Sequence, residues 1–196
     1  MNSFEPFNRG VELSMAQRDE EALVAFDEAL RADPEHLGAL AGKGICLARL
    51  GRIDLALETF IAASLRDPDD PNLHLQAGLC FLQLGEVAQA RGCVELAIGK
   101  VGFERSRENW AVELYNVGGW YMKGAAGWRA RGSETQERVG YQLAEACFGL
   151  ALECLPTFPQ AAHGLSVACA AQGRREDASR FADLAERLSS ASGGPQ

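Results

Sequence analysis

Residues 37–70 read LGALAGKGICLARLGRIDLALETFIAASLRDPDD, and their pattern decides the fold. Leu40, Gly44 and Leu47 recur at helical spacing as far as Gly51, a residue that ends helices because it accepts the left-handed conformation. Asp54 stands where the cap of a second helix is expected, and Leu55, Ala56, Leu57, Phe60 and Ala63 follow it. Asp67-Pro68 closes the unit, because the residue before proline avoids the helical region and proline cannot continue the ladder. The stretch therefore reads as two antiparallel helices. Small residues at Gly44 and Ala56 let them approach closely, and the large Phe60 fills the gap toward whatever packs next.

The same register extends in both directions. Gly10, Gly44 and Gly78 are spaced by 34, as are Ala22, Ala56 and Ala90, and Ala29, Ala63 and Ala97. Leu13, Leu47 and Phe81 keep the interval, and so do Phe26, Phe60 and Val94, while Pro34 and Pro68 supply one more. One such hairpin cannot bury its apolar face alone, so neighbouring units must stack.

The columns carried by Gly44, Leu47, Ala56, Phe60, Ala63 and Pro68 resemble those of the tetratricopeptide repeat family, over about residues 3–192. The resemblance implies an all-α solenoid of αα-hairpins wound as a right-handed superhelix. Five repeats are expected in a single array, at about 3–36, 37–70, 71–104, 108–158 and 159–192, with 193–196 as a flexible tail. Gln17 takes the place of the turn glycine in the first repeat, and the third lacks the closing Asp-Pro. The fifth keeps Gly173, Ala178 and Ala185 but has Ala182 in the aromatic column, and its charged outer face suits a last repeat.

The fourth repeat is abnormal. Ala144, Phe148, Ala151 and Pro156 reproduce the second-helix spacings, but Tyr121 to Ala144 is 23 residues where Leu47 to Ala56 is 9, an excess of 14. Gly132 divides that excess evenly, which predicts an elongated fourth hairpin with its tip near Arg131 to Gln136. The alternative is a short helix or disordered loop over 124–137, since Gly124, Gly127 and Gly132 weaken helix. Every tryptophan and tyrosine lies here: Trp110, Tyr115, Trp120, Tyr121, Trp128 and Tyr141. They form either the core of a longer hairpin or an exposed patch for a partner.

Composition excludes several classes of function. The 196 residues carry 19 basic and 27 acidic groups, so the net charge of 19 − 27 = −8 argues against a general nucleic-acid binder. No stretch approaches the roughly 20 apolar residues of a membrane span. No secretory signal is visible before Val11, which leads to a cytoplasmic expectation. The six cysteines form no CxxC pair and read as small buried hydrophobes, while His36, His74 and His163 are too scattered for a metal site. No phosphate loop, dinucleotide fingerprint or nucleophile elbow is present. Neither a cofactor nor catalysis is expected.

The resemblance further implies that the first helices line a concave groove. The face beside the glycine column offers Phe7 and Val11 in the first repeat and Ile45 in the second. The third repeat offers Leu75, Gln76, Leu79 and Leu82, and the fourth Tyr115, Asn116 and Met122. Trp120 and Trp128 add an aromatic element in the long hairpin. One branch of the family grips a terminal carboxylate with Lys, Asn, Asn, Lys and Arg; the matching positions here are Phe7, Val11, Gly42, Asn72 and Gln76, none of them basic, so that function is rejected. The groove is instead apolar with a few amides, which fits a peptide or helix of another protein. The expected function is a non-catalytic adaptor or scaffold; the alternatives are a cytoplasmic secretion-type chaperone for a hydrophobic client segment, or a self-assembling scaffold.

Overall fold

A computed structural model describes residues 3–100 and 106–192, and every regular element among them is an α-helix. The chain divides into two compact units, Met1–Lys100 and Val101–Gln196. The first holds α1 (Phe4–Met15), α2 (Asp19–Ala32), α3 (Leu37–Arg49), α4 (Ile53–Arg66), α5 (Pro71–Leu84) and α6 (Val87–Gly99). The second holds α7 (Ser106–Ala130), α8 (Glu134–Cys154), α9 (Pro159–Ala171) and α10 (Arg175–Ser192). Successive helices pair as antiparallel hairpins, and within each unit the second helix of one hairpin packs on the first helix of the next.

The turns inside the first unit's hairpins share one construction. The carbonyls of Leu13, Leu47 and Phe81 accept from the amides of Arg18, Arg52 and Glu86 at 2.9, 2.9 and 2.8 Å. That closure needs a left-handed residue just before the donor, and Gly51 and Gly85 supply φ of 74° and 82°. Gln17 adopts the same conformation at φ 58° without glycine's freedom. Asp54 is not the cap that the sequence led us to expect. Arg52 occupies the cap position of α4 with no side-chain bond, and Asp54 sits inside the first turn, where its charge still favours the helix N-terminus. Side-chain caps occur instead on first helices. His36 Nδ1 accepts the Ala39 amide at 3.2 Å, and Asp70 Oδ1 accepts the Asn72 amide at 2.9 Å.

The repeat columns are packing positions. Phe26, fully buried on α2, lies against Gly10 of its own hairpin and Gly42 of the next. A β-carbon would stand 2.7 Å from the ring at residue 10 and 2.5 Å at residue 42. Phe60 meets Gly44 in the same way, at 2.7 Å. Around these rings, Ala22, Ala29, Ala39, Leu47, Ala56 and Ala63 complete the core of the first unit. The helices are held close by ring-on-backbone packing rather than by long interdigitating side chains.

In the second unit, α7 has 25 residues and α8 has 21, against 14 in α4. Their turn is at Gly132, with φ 74°, and Ser133 donates to the Trp128 carbonyl at 3.1 Å. The hairpin is therefore elongated in both arms, and the loop alternative over 124–137 is overturned: α7 runs unbroken past Gly124 and Gly127. The extra turns pack through Gly140, where a β-carbon would meet that of Ala125 at 2.9 Å. Arg129 fastens the tip, pairing with Glu137, lying 5.5 Å over the Tyr141 ring and donating to the Ala171 carbonyl at 3.2 Å. Trp110, Tyr121 and Tyr141 are buried, so these three belong to the interior. The end of the expected third repeat, 101–104, and the expected tail at 193–196 lie outside the described residues.

Candidate functional site

Each unit presents first-helix faces that a partner could approach, and the two faces are described separately. In the first unit, Phe7 and Val11 are half-buried and pack against the core. The Phe7 ring centroid lies 6.2 Å from that of Phe26 and 4.6 Å from that of His36, so Phe7 is shared between core and surface. Ile45 is exposed, beside half-buried Ala41 and Ala48 on α3. Phe4 and Met15 project further into solvent at the two ends of α1.

Three expected groove residues must be corrected. Leu75, Leu79 and Leu82 are 1%, 6% and 0% exposed. Their counterparts one repeat earlier, Ala41, Ile45 and Ala48, remain partly open. Side chains so deeply buried offer a partner no surface, and a charge at Leu79 would test folding rather than binding. Gln76 is half-buried on the same helix.

In the second unit the candidate residues lie on α7. Trp120 is 68% exposed, with its ring edge-on to Tyr121 at 5.0 Å. Asn116 and Lys123 are exposed, and Met122 is half-buried. Residues 116, 120 and 123 are separated by four and three, so they share one helix face. Tyr115 is half-buried between the rings of Phe148 and Phe158, at 5.5 and 5.4 Å. Trp128 is half-buried under the Arg131 guanidinium, 4.1 Å from its ring centroid, and so is occupied within its own hairpin. The structure thus brings Asn116, Trp120 and Lys123 together on one face of α7, puts Met122 on another face, and separates Trp128 from them. A sequence signal for exposure existed at Trp120, since it falls off the buried stripe of Trp110, Leu114, Tyr121 and Ala125.

Residues 15–79 match the tetratricopeptide repeat family, and solved structures of similar fold include a TPR protein. Residues 15–79 are a tetratricopeptide repeat segment. The chain's fold is similar to that of MamA from Desulfovibrio magneticus RS-1, at 15% identity, covering 98% of this chain and 97% of that one, with a TM-score of 0.62. It is also similar to YrrB, described as a TPR protein with an unusual peptide-binding site, at 20% identity over 95% and 86% of the two chains and a TM-score of 0.59. Over 55% of this chain and 86% of the other, it resembles the Yersinia enterocolitica type III secretion chaperone SycD, solved with a peptide of the translocator YopD, at 21% identity and a TM-score of 0.52. A comparison with curated protein sequences returns no match.

Among the described residues no buried side-chain nitrogen or oxygen lacks a partner, and no group of three or more His, Cys, Asp or Glu is placed to hold a metal ion. No helix among them is long and apolar enough to cross a membrane. The cysteines are free thiols, five of them buried. Burial pushes Cys80 up to about 11 and Cys147 and Cys154 up to about 12, which keeps all three protonated and unreactive at neutral pH. Burial likewise pushes the Tyr121 hydroxyl up.

Proposed function

We propose that this chain is a non-catalytic interaction scaffold that holds an apolar or amphipathic segment of another protein. The observation that carries the reading is Trp120, a tryptophan left 68% exposed in the middle of the 25-residue helix α7. An indole offers a large apolar anchor at small cost in side-chain freedom. Asn116 beside it can bond the backbone of an extended segment. YrrB and SycD, which share the fold, are respectively described with a peptide-binding site and solved with a bound peptide. The net charge of −8 favours protein over nucleic acid as the partner. Six unpaired cysteines suit the cytoplasm, where thiols stay reduced.

The test is affinity capture from the native lysate with wild type beside Trp120→Ala and Asn116→Ala. Both positions are exposed, so helicity should be unchanged and a partner should be lost. Equal capture by all three proteins would remove this face from the account. The likeness to SycD favours a second reading, a chaperone for a hydrophobic client segment. Co-expression with the captured partner separates the two: a chaperone raises the partner's soluble yield, and an adaptor does not.

A further inference from the structure

The exposed face of α7 has a counterpart in the first unit. Gly118 meets the Phe148 ring as Gly44 meets the Phe60 ring, so α7 aligns on α3 with a displacement of 118 − 44 = 74 residues. By that displacement Trp120 corresponds to Cys46, Asn116 to Gly42 and Lys123 to Arg49. On α3 those three residues form the side turned toward the hairpin before. Cys46 is buried in the first unit's core, the Phe26 ring of α2 stands against Gly42, and Arg49 pairs with Asp19, the first residue of α2. The third repeat buries the same position, with Cys80 in the place of Cys46. On α7 this side is open: Asn116, Trp120 and Lys123 are all exposed.

Lys123 also lacks the partner that its counterpart has. Arg49 bonds Asp19 and the Ser14 carbonyl across the hairpin joint, whereas no ion pair reaches Lys123 among the described residues. Residues 114–133 contain no Asp or Glu. The nearest carboxylate on this side of α7 belongs to Glu113, ten residues back and so about 15 Å along the helix axis. The first unit specifies what such a side holds, since on α3 it is covered by a helix whose first residue brings a carboxylate to the cation.

We propose that the partner segment seated on α7 is an α-helix that lies there as α2 lies on α3 and pairs a carboxylate of its first turn with Lys123. The proposal rests on the protein-binding reading above and narrows it: the register selects a helix over an extended segment, and Lys123 selects its charge. An indole is larger than the Cys46 side chain whose position Trp120 takes, so the helix meets it with alanine. Burial of the indole supplies the attraction. The carboxylate is favoured twice, by Lys123 and by the N-terminus of the helix that carries it.

The probe is an acetylated, amidated peptide of alanine and leucine with aspartate as its first residue, about 16 residues long so that it holds a helix in water. It is titrated into the isotope-labelled full chain and followed by NMR. Its twins carry lysine in place of the aspartate, or proline at the centre. The aspartate peptide should shift the Trp120 indole and the Lys123 amide, and the lysine peptide should bind about fivefold more weakly. The proline peptide, which cannot keep the helix, should shift neither. Trp120→Ala should abolish the shift at Lys123. Lys123→Glu, an exposed charge reversal that spares the core, should invert the preference, so that the lysine peptide binds more tightly. Equal binding of the aspartate and lysine peptides, binding of the proline peptide, or no shift at Trp120 with any of them overturns the proposal. So does self-association abolished by Trp120→Ala, which would make a second copy the occupant. In the lysate capture, a partner lost with Trp120→Ala but kept with Lys123→Glu removes the acid-bearing helix and leaves the protein-binding reading standing. A partner kept with both removes the reading itself.

Discussion

The ring of Phe26 stands so close to Gly42 that a β-carbon at residue 42 would lie 2.5 Å from its Cζ. Gly10 is on the ring's other side, at 2.7 Å. One phenyl group thereby ties the first hairpin to the second, and the interval of 34 residues is the distance along the chain at which such a joint can recur.

Gly42→Ala should destabilise the protein by about 1–3 kcal/mol, because the rigid ring has no flexible end to move aside. Alanine's better helix propensity offsets only about 1 kcal/mol of that. Gly119→Ala on α7 is the control, since its β-carbon would meet nothing within 4 Å. It should stabilise by about 0.5–1 kcal/mol. Denaturant titration of both variants checks the sign of each change.

These joints were legible in the sequence because small and large residues alternate at fixed offsets, and an offset is all that packing at Phe26 or Phe148 requires. The elongated hairpin was legible for a related reason: Gly132 divided the 14-residue excess, and the turn is there. Burial at Leu75, Leu79 and Leu82 was not legible. Periodicity gives the direction in which a helix position points, but exposure depends on the size of the side chain and on what stands opposite it. Ile45 stays exposed while Leu79, the same size and one repeat later, is buried, so the 34-residue register does not carry the difference. Asp54 was misread because an acidic residue within the first turn and one at the cap look alike in sequence.

Gln17→Gly should stabilise the first turn by about 0.5–1 kcal/mol. Gln17 holds φ 58° where the other hairpin turns have glycine, so the native state is relieved of strain while the unfolded chain gains some freedom. Gly51→Ala, at φ 74°, should lose a comparable amount. Paired thermal melts decide whether the turn conformation or the residue type controls this closure.

Two ion pairs repeat at the same interval as the core. Arg66 bonds Glu35 and Lys100 bonds Asp69, both at 2.8 Å, with each partner displaced by 34 residues. Lys100 holds the Asp69 carboxyl below the usual carboxylate range, first through the hydrogen bond and then through its charge. A carboxyl lowered in the folded state stabilises it above the ordinary carboxylate range, and that contribution fades as pH falls through the lowered value. Lys100→Met should return Asp69 toward its ordinary value in a carboxyl NMR titration. An unchanged titration would show that the pair does not persist in solution.

Thiol labelling reports burial directly. Cys93 is half-buried, whereas Cys80, Cys147 and Cys154 are buried and raised to about 11, 12 and 12. A maleimide at neutral pH should reach Cys93 first and the other three only on unfolding, as read by peptide mass spectrometry. Labelling of Cys147 as fast as Cys93 would mean that the α7–α8 core opens readily.

Contact between the exposed face of α7 and another protein is what the proposed function requires. A photoreactive phenylalanine analogue placed at Trp120, and in a second protein at exposed Val139 on α8, measures this in the native cell. Crosslinks to a protein partner at position 120 and none at 139 are the predicted result. No crosslink at 120, or equal crosslinking at both positions, would contradict the reading of this chain as a scaffold that binds through α7.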